Sequence, residues 1–166
     1  DLIVDNITIL PDREILYRFI SVLPVKQLLI SKPDNQFAVL DDLQDKVIIV
    51  TKGTSYEDNL IKRVQKSVTF QLKYYYTENT SDQIKALMEG KGDVTVLDSN
   101  LAVINIFDSD LSFGFSVSGR QFVGWGAAKN NKELTEDIGV FINKITSDGT
   151  METVWNKNIT AVDYKK

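Results

Sequence analysis

Short apolar runs alternate with segments of helical spacing through the middle of the chain. Leu60, Ile61 and Val64 recur at helical intervals, whereas residues 46–50 and 94–97 form mainly apolar runs of strand length. The pattern predicts strands over Lys46–Val50, Val68–Tyr76 and Val94–Leu97, and helices over Ser55–Gln65, Asp82–Glu89 and Ser99–Phe107. This alternation is typical of an α/β fold with a mainly parallel sheet and helices on both faces.

The two ends of the chain follow a different pattern. Asp1–Ile9 predicts a strand, and Tyr17–Ser31 predicts an extended segment in which Pro24 indicates an edge or crossover strand. Leu134–Ile145 predicts an amphipathic helix. Connections near residues 22–28 and 117–124 leave and re-enter the central unit, which is the pattern of an inserted lobe on a two-strand hinge. The predicted domains are residues 1–24 (partial lobe 1), 25–119 (lobe 2) and 120–166 (the return to lobe 1, with the C-terminal helices).

The composition excludes several kinds of chemistry. The 166 residues include no Cys and no His, so disulfides, thiol nucleophiles, Cys/His zinc sites and a Ser-His-Asp triad cannot form within the chain. No spacing of acidic residues matches a calcium loop. The net charge of −4 arises from interspersed acids and bases without a basic face, which argues against nucleic-acid binding. We therefore predict no metal, no cofactor and no catalytic residues.

Polar groups follow two of the predicted strands. Asp98 comes directly after Val94–Leu97, and the turn that contains Gly53, Thr54 and Ser55 follows Lys46–Val50. Ligands bind at the carboxyl ends of strands in open α/β sheets, and the free N–H groups of a helix start attract anions. A carboxylate beside such a helix start suits a zwitterion, so capture of a small ligand is the leading interpretation. The alternative is that these residues are ordinary N-caps.

Several segments, taken in order, resemble the bacterial extracellular solute-binding proteins of family 3, the polar amino-acid binders of ABC importers. They are Asp1–Arg13, Leu43–Tyr56 with its Gly-Thr-Ser, Ala86–Asp93 with its Gly-Lys-Gly-Asp, Val123–Asn130, and Leu134–Trp155 with its Asp-Gly-Thr. Asp45 departs from the family pattern, which has Gly there. The resemblance implies the α/β fold of type II periplasmic binding proteins, with a complete lobe 2 and a partial lobe 1.

The resemblance also implies ligand-binding residues. Arg13 matches the family's Arg for the ligand carboxylate, and Asp98 matches its carboxylate for the ligand ammonium group. Asn6 and Thr8 lie on one strand face, where they can hydrogen-bond a ligand. The alternatives are a surface ion pair for Arg13 and an ordinary edge-strand polar pair for Asn6 and Thr8. The implied function is noncatalytic capture of an amino-acid-like solute in a cleft between the lobes, for ABC import.

A narrower resemblance is to the solute-binding-like regulatory domain of membrane-bound lytic transglycosylase F. It is carried by Asp98–Ile104 and by Gln121–Trp125. It implies a domain that senses muropeptides beside a separate catalytic domain, instead of a receptor that serves an ABC permease. A third alternative is a dehydratase of the cyclohexadienyl type, which without His would need an acidic residue of raised pKa.

The resemblance further implies an extracytoplasmic protein. The chain begins with Asp, so we expect that a signal peptide has been removed and that the protein is periplasmic or extracytoplasmic, either free or anchored to the membrane at full length. Family members begin with a strand-helix-strand unit that is not seen here. Its absence would favour capture of those strands from a partner, or a swapped dimer.

Overall fold

The computed structural model describes residues 1–108 and 110–159. The described residues form eight strands, six α-helices and two short 3₁₀ helices, Arg13–Ile15 and Leu40–Leu43; a π-helical segment, Leu60–Val64, joins the first two α-helices. The strands are β1 (Leu2–Thr8), β2 (Tyr17–Val25), β3 (Gln27–Ser31), β4 (Val47–Thr51), β5 (Lys73–Thr77), β6 (Val94–Asp98), β7 (Ser112–Ser116) and β8 (Gln121–Ala128). The helices are α1 (Ser55–Asn59), α2 (Gln65–Ser67), α3 (Ser81–Met88), α4 (Ser99–Asp108), α5 (Lys132–Ser147) and α6 (Thr150–Asn158).

The chain divides into two compact units. The continuous unit is Lys26–Gly119, and the discontinuous unit combines Asp1–Val25 with the chain from Arg120 onward. The assignment of these segments to two lobes of a binding protein stays a prediction. Residues 160–166, the end of the predicted return segment, lie outside the described residues.

The continuous unit has a five-stranded sheet in the order β5-β4-β6-β3-β7. β4 runs parallel to β5 and β6, whereas β3 runs antiparallel to β6 and β7. The predicted mainly parallel sheet therefore describes four of the five strands, because β7, antiparallel to β3, runs in the same direction as β4, β5 and β6. Helical connections join these four strands in sequence, whereas β3 enters the sheet without one and is the antiparallel strand.

The strand predicted over Val68–Tyr76 begins later than expected, at Lys73. The side chain of Gln65 accounts for the delay: its Nε2 donates to the Phe70 carbonyl at 2.8 Å, and its Oε1 accepts from the Leu72 N–H at 2.9 Å. These two bonds satisfy backbone groups that a longer strand would have paired with a neighbour.

The core of the continuous unit lies around its central strands. Ile48, Ile49, Val94 and Val96 are fully buried, and each such side chain contributes about 1.5–3 kcal/mol by leaving water. Gly92 precedes β6 at a close approach, because a Cβ there would lie 2.7 Å from the Ile49 side chain and 2.8 Å from the Val47 carbonyl. The chain can enter β6 along this path only without a side chain at that position.

The discontinuous unit has an antiparallel sheet in the order β1-β8-β2. Pro24 lies in β2, an edge strand, where a missing N–H is tolerated. Helix α5 supplies Ile138 and Ile142 to a small core with Ala127. Trp125 packs on Phe141 with ring centroids 6.2 Å apart, so this aromatic pair joins the sheet to α5.

Candidate functional site

Polar residues collect at one edge of the sheet in the continuous unit. The parallel strands β4, β5 and β6 end there at Thr51, Thr77 and Asp98. Gln27, the first residue of the antiparallel β3, pairs with Asp98 across the sheet. This edge is where the topology of open α/β sheets favours ligand binding, and of the predicted site residues it carries Asp98, with Thr54 and Ser55 just beyond β4.

A buried amide organises this edge. The fully buried Gln27 donates from Nε2 to the Ser55 hydroxyl at 3.0 Å, and its Oε1 accepts from Asn59 Nδ2 at 2.7 Å. Its backbone N–H donates to the Ser118 hydroxyl at 2.9 Å. Gln27 thereby fixes the start of the α1 segment against β3, and it holds the side chain of Ser55 in one position.

Asp98 and Tyr56 complete this group. The Asp98 N–H donates to the Tyr56 hydroxyl at 3.3 Å, and Asp98 is only 1% exposed. Burial, and then the charge of the adjacent Asp98 carboxyl, raise the pKa of Tyr56 above its usual value of 10.0. Tyr56 is therefore a neutral phenol at physiological pH. We call Gln27, Ser55, Tyr56, Asn59 and Asp98 the Asp98 cluster.

The Asp98 cluster combines one ionisable carboxyl with four neutral polar side chains. A buried carboxylate costs free energy unless cations or hydrogen-bond donors surround it. An ammonium group offers both a positive charge and three N–H donors. The chemistry of the cluster therefore suits a ligand that carries a protonated amine.

The turn before α1 differs from the expected anion site. Gly53, at φ 75°, donates its N–H to the Glu57 carboxylate at 2.7 Å. The Thr54 hydroxyl donates to the Thr51 carbonyl at 2.6 Å and does not cap the helix. One N–H of the turn is thus already paired with a carboxylate of the chain, and the negative charge of Glu57 opposes an incoming anion. Of the two hydroxyls in this turn, that of Ser55 belongs to the Asp98 cluster.

The other predicted site residues lie in the discontinuous unit. Arg13, half-buried, donates from Nη1 to the Thr8 carbonyl at 3.0 Å. Among the described residues it forms no ion pair with Asp12 or Glu14, which was the alternative. Thr8 is itself buried at the end of β1. The structure thus places the Arg13 side chain against Thr8. The hydrogen bond to the Thr8 carbonyl uses one of the five guanidinium N–H groups, and the others can serve a ligand.

Asn6 lies near Thr8 on β1 and has a local interaction. Its N–H donates to the Asp5 carboxylate at 2.7 Å. Asn6 is half-buried, whereas Asp5 is exposed. Asn6 lies in the stretch between Ile3 and Ile7 where the pairing of β1 with β8 shifts register, so the predicted shared face of Asn6 and Thr8 stays a prediction.

Sequence reasoning missed Gln27, Tyr56 and Asn59. The sequence pattern places Gln27 inside one long extended segment, and Tyr56 and Asn59 inside an ordinary helix. The polar Gln27 comes directly before the apolar run Leu28–Ile30. This change from polar to apolar is the sequence signal for the start of a separate strand.

In the part of the chain that the structure describes, no group of three or more acidic residues is arranged to hold a metal ion. None of the described helices combines the length and the apolar character needed to cross a bilayer.

In sequence, the chain is similar to membrane-bound lytic murein transglycosylases F. It is 27% identical over 143 residues to that of Desulfosudis oleivorans, which covers 85% of this chain and 32% of that protein. It is 25% identical over 124 residues to that of Pseudomonas fluorescens, with 74% and 26% covered. The chain therefore spans about a third or less of the length of these curated relatives. No protein-family model matches it.

In fold, the chain is similar to amino-acid receptors. The solute receptor for L-cysteine of Neisseria gonorrhoeae superposes with a TM-score of 0.85 at 20% identity, covering 99% of this chain and 66% of that one. The cysteine-binding protein of Campylobacter jejuni gives 0.85 at 21% identity, with 97% and 64% covered. The predicted fold class, α/β of the type II periplasmic-binding-protein kind, and the predicted resemblances are confirmed.

Proposed function

We propose that this chain is a noncatalytic solute-binding domain that captures a small polar, amino-acid-like ligand. The observation that carries the proposal is the Asp98 cluster, a buried carboxyl held among neutral hydrogen-bonding side chains at the ligand-binding edge of the sheet. The similarity in fold to receptors for amino acids supports the same ligand class.

Each end of the ligand has a proposed contact. Asp98 accepts hydrogen bonds from the ligand ammonium group, and Ser55, held by Gln27, orients it. Arg13 in the discontinuous unit holds the ligand carboxylate, where a guanidinium forms two parallel hydrogen bonds. Thr8 and Asn6 on β1 and Thr54 before α1 are the remaining proposed contacts. A ligand that bonds to residues of both units stabilises the conformation in which both sets of contacts form. Ligand binding thereby shifts the conformational equilibrium of the protein.

Two contexts follow from the comparisons. The receptors that share the fold favour a role in ABC import with a permease as partner. The sequence relatives favour the other context, a muropeptide-sensing regulatory domain of a membrane-bound lytic transglycosylase. Both contexts place the chain outside the cytoplasm, and both leave the binding chemistry of the Asp98 cluster unchanged.

Calorimetric titration with single amino acids and with peptidoglycan peptides tests the proposal. A ligand at about one hundred times its Kd should also stabilise the protein by about 2.7 kcal/mol in denaturant titrations. The variant Asp98→Asn keeps the shape of the side chain and removes its charge, and we expect it to weaken binding about a hundredfold or more. Asp34→Asn, an exposed change in the same unit, is the matched control.

The ligand preference separates the two contexts. Tighter binding of a free amino acid supports the importer role, and tighter binding of a peptidoglycan peptide supports the sensor role. Failure of every ligand in both panels, or equal binding by Asp98→Asn and the native protein, would contradict the proposal. Turnover of a prephenate-like substrate would establish the dehydratase alternative instead.

A further inference from the structure

The two edges of the sheet in the continuous unit are protected differently. At the β7 edge, the Phe115 N–H donates to the Phe37 carbonyl at 3.0 Å, and a Cβ on Gly114 would lie 2.8 Å from that same carbonyl. The segment around Phe37 therefore covers β7. At the other edge, β5 pairs only with β4 among the described residues. Its outer backbone groups are available to a further strand.

Aromatic side chains lie on both faces of β5. Tyr74 and Tyr76 stack with ring centroids 5.8 Å apart on one face, where a hydrogen bond with the Glu57 carboxylate raises the pKa of Tyr76. Tyr75 points to the opposite face, since successive strand residues alternate. Tyr75 and Tyr76 are both exposed, so each face of β5 presents a tyrosine ring to solvent.

The charged residues beside Tyr75 are mostly acidic. A groove of about 370 Å³ beside β5 is lined by Tyr75 together with Glu78, Asp82 and Glu89, against the single cation Lys85. Lys73, at the start of β5, is already paired with Asp45 at 2.8 Å. Carboxylates that border tyrosine rings attract the side chains of Lys and Arg, which interact with both the charge and the ring face.

We propose that the β5 edge docks an extended segment of a partner protein that carries Lys or Arg at alternate positions. Main-chain hydrogen bonds to β5 hold the segment as a sixth strand. Because residues two apart on a strand point to the same face, the cations of the segment line one face of the sheet and meet the acidic groove beside Tyr75, while the residues between them lie beside Tyr76. This surface is separate from the Asp98 cluster and does not depend on the proposed solute-binding function.

The probe is a fluorescently labelled peptide of alternating Lys and Thr, about eight residues long, sufficient for one strand. Anisotropy at low salt and at about 150 mM salt should show saturable binding that weakens with salt. Hydrogen exchange should slow at the amides of 73–77 when the peptide binds. A Glu-Thr peptide should not bind. A Lys-Thr peptide that is N-methylated at every residue has the same charge but no N–H to donate to β5, and it should bind about tenfold or more weakly.

The variant Glu78→Gln/Glu89→Gln should weaken binding of the Lys-Thr peptide about tenfold, since each lost charge contact accounts for a few-fold. The matched control, Glu133→Gln/Glu136→Gln, removes the same charge from exposed positions of α5 in the other unit and should leave binding unchanged. Asp98→Asn should also leave it unchanged, which separates this test from that of the proposed function.

Three results would overturn the proposal. One is equal binding of the N-methylated and unmethylated Lys-Thr peptides. The second is equal weakening by the two double variants, which would indicate attraction to the net charge alone. The third is protection of the amides of 73–77 that rises with protein concentration in the absence of peptide, because a second copy of the chain would then occupy the edge.

Discussion

The two units of this protein bury their apolar residues to different extents. In the continuous unit, side chains from both faces of a five-stranded sheet form one large core, and residues such as Leu29, Ile49 and Leu87 are fully buried. In the described part of the discontinuous unit, the buried cluster is Ala127, Ile138 and Ile142 against a three-stranded sheet, and Val25 and Val123 are buried besides. A larger buried apolar area contributes more to the free energy of unfolding, so we expect the continuous unit to hold most of the stability.

The largest effect should come from removing a core side chain of the continuous unit. Ile49→Ala leaves a cavity next to Gly92 where close packing prevents collapse, and it should lower the free energy of unfolding by about 2–5 kcal/mol. Ile138→Ala in α5 should cost less, because half-buried neighbours such as Leu134 and Met151 can relax into the space. Urea titrations followed by circular dichroism measure both. Equal losses would contradict the difference between the units.

Two glycine substitutions, one in each unit, should change the stability of the protein in opposite directions. Gly92→Ala should destabilise by about 1–3 kcal/mol, because its Cβ would meet Ile49 and the Val47 carbonyl. Gly139→Ala places a methyl group inside α5 with no other atom within 4 Å, and it should stabilise the helix by about 0.5–1 kcal/mol. Melting temperatures should move in opposite directions. A shift in the same direction for both would show that the close approach at Gly92 is not rigid.

Two tyrosines test how polar atoms are satisfied within the continuous unit. Tyr56→Phe removes the acceptor of the Asp98 N–H and should cost about 1–3 kcal/mol. The buried hydroxyl of Tyr74 has no hydrogen-bond partner among the described residues, so Tyr74→Phe should be neutral or slightly stabilising. Denaturant titration of both variants checks this. A loss for Tyr74→Phe comparable to that of Tyr56→Phe would mean that its hydroxyl is bonded in solution.

The last effect is an alkaline loss of stability in the continuous unit, which appears only above about pH 10. Burial raises the pKa of Tyr74 to about 12, and burial with the Asp98 charge raises that of Tyr56, each from 10.0. The folded state thus holds these protons more tightly than the unfolded state. The contribution is complete below pH 10 and is lost as pH rises through the folded pKa values. Melting temperatures from pH 8 to pH 12 should fall, and the fall should be shallower in Tyr56→Phe/Tyr74→Phe.

Much of the continuous unit could be predicted from sequence because local signals there agree with the fold. The apolar runs of β4 and β6 and the Gly90 that ends α3, at φ 74°, are short-range features. Asp98 follows from one as well, since it comes directly after an apolar strand. Asp45 shows the limit of such reasoning. It takes the left-handed conformation at φ 62°, where Gly is usual, and its pairing with Lys73 joins residues far apart in sequence.

The sequence by itself determined the alternation of strands and helices, the fold class, the exclusion of Cys and His chemistry, and the position of Asp98 at a strand end. Periodicity and residue type are sufficient for these because they act over a few residues. Only the tertiary structure decided that β3 runs antiparallel, that Gln27 holds Ser55 and Asn59, that Glu57 takes the Gly53 N–H, and that no other described strand pairs with the outer edge of β5. Each of these depends on which segments become neighbours. That choice is made by packing over the whole unit, which no local pattern records.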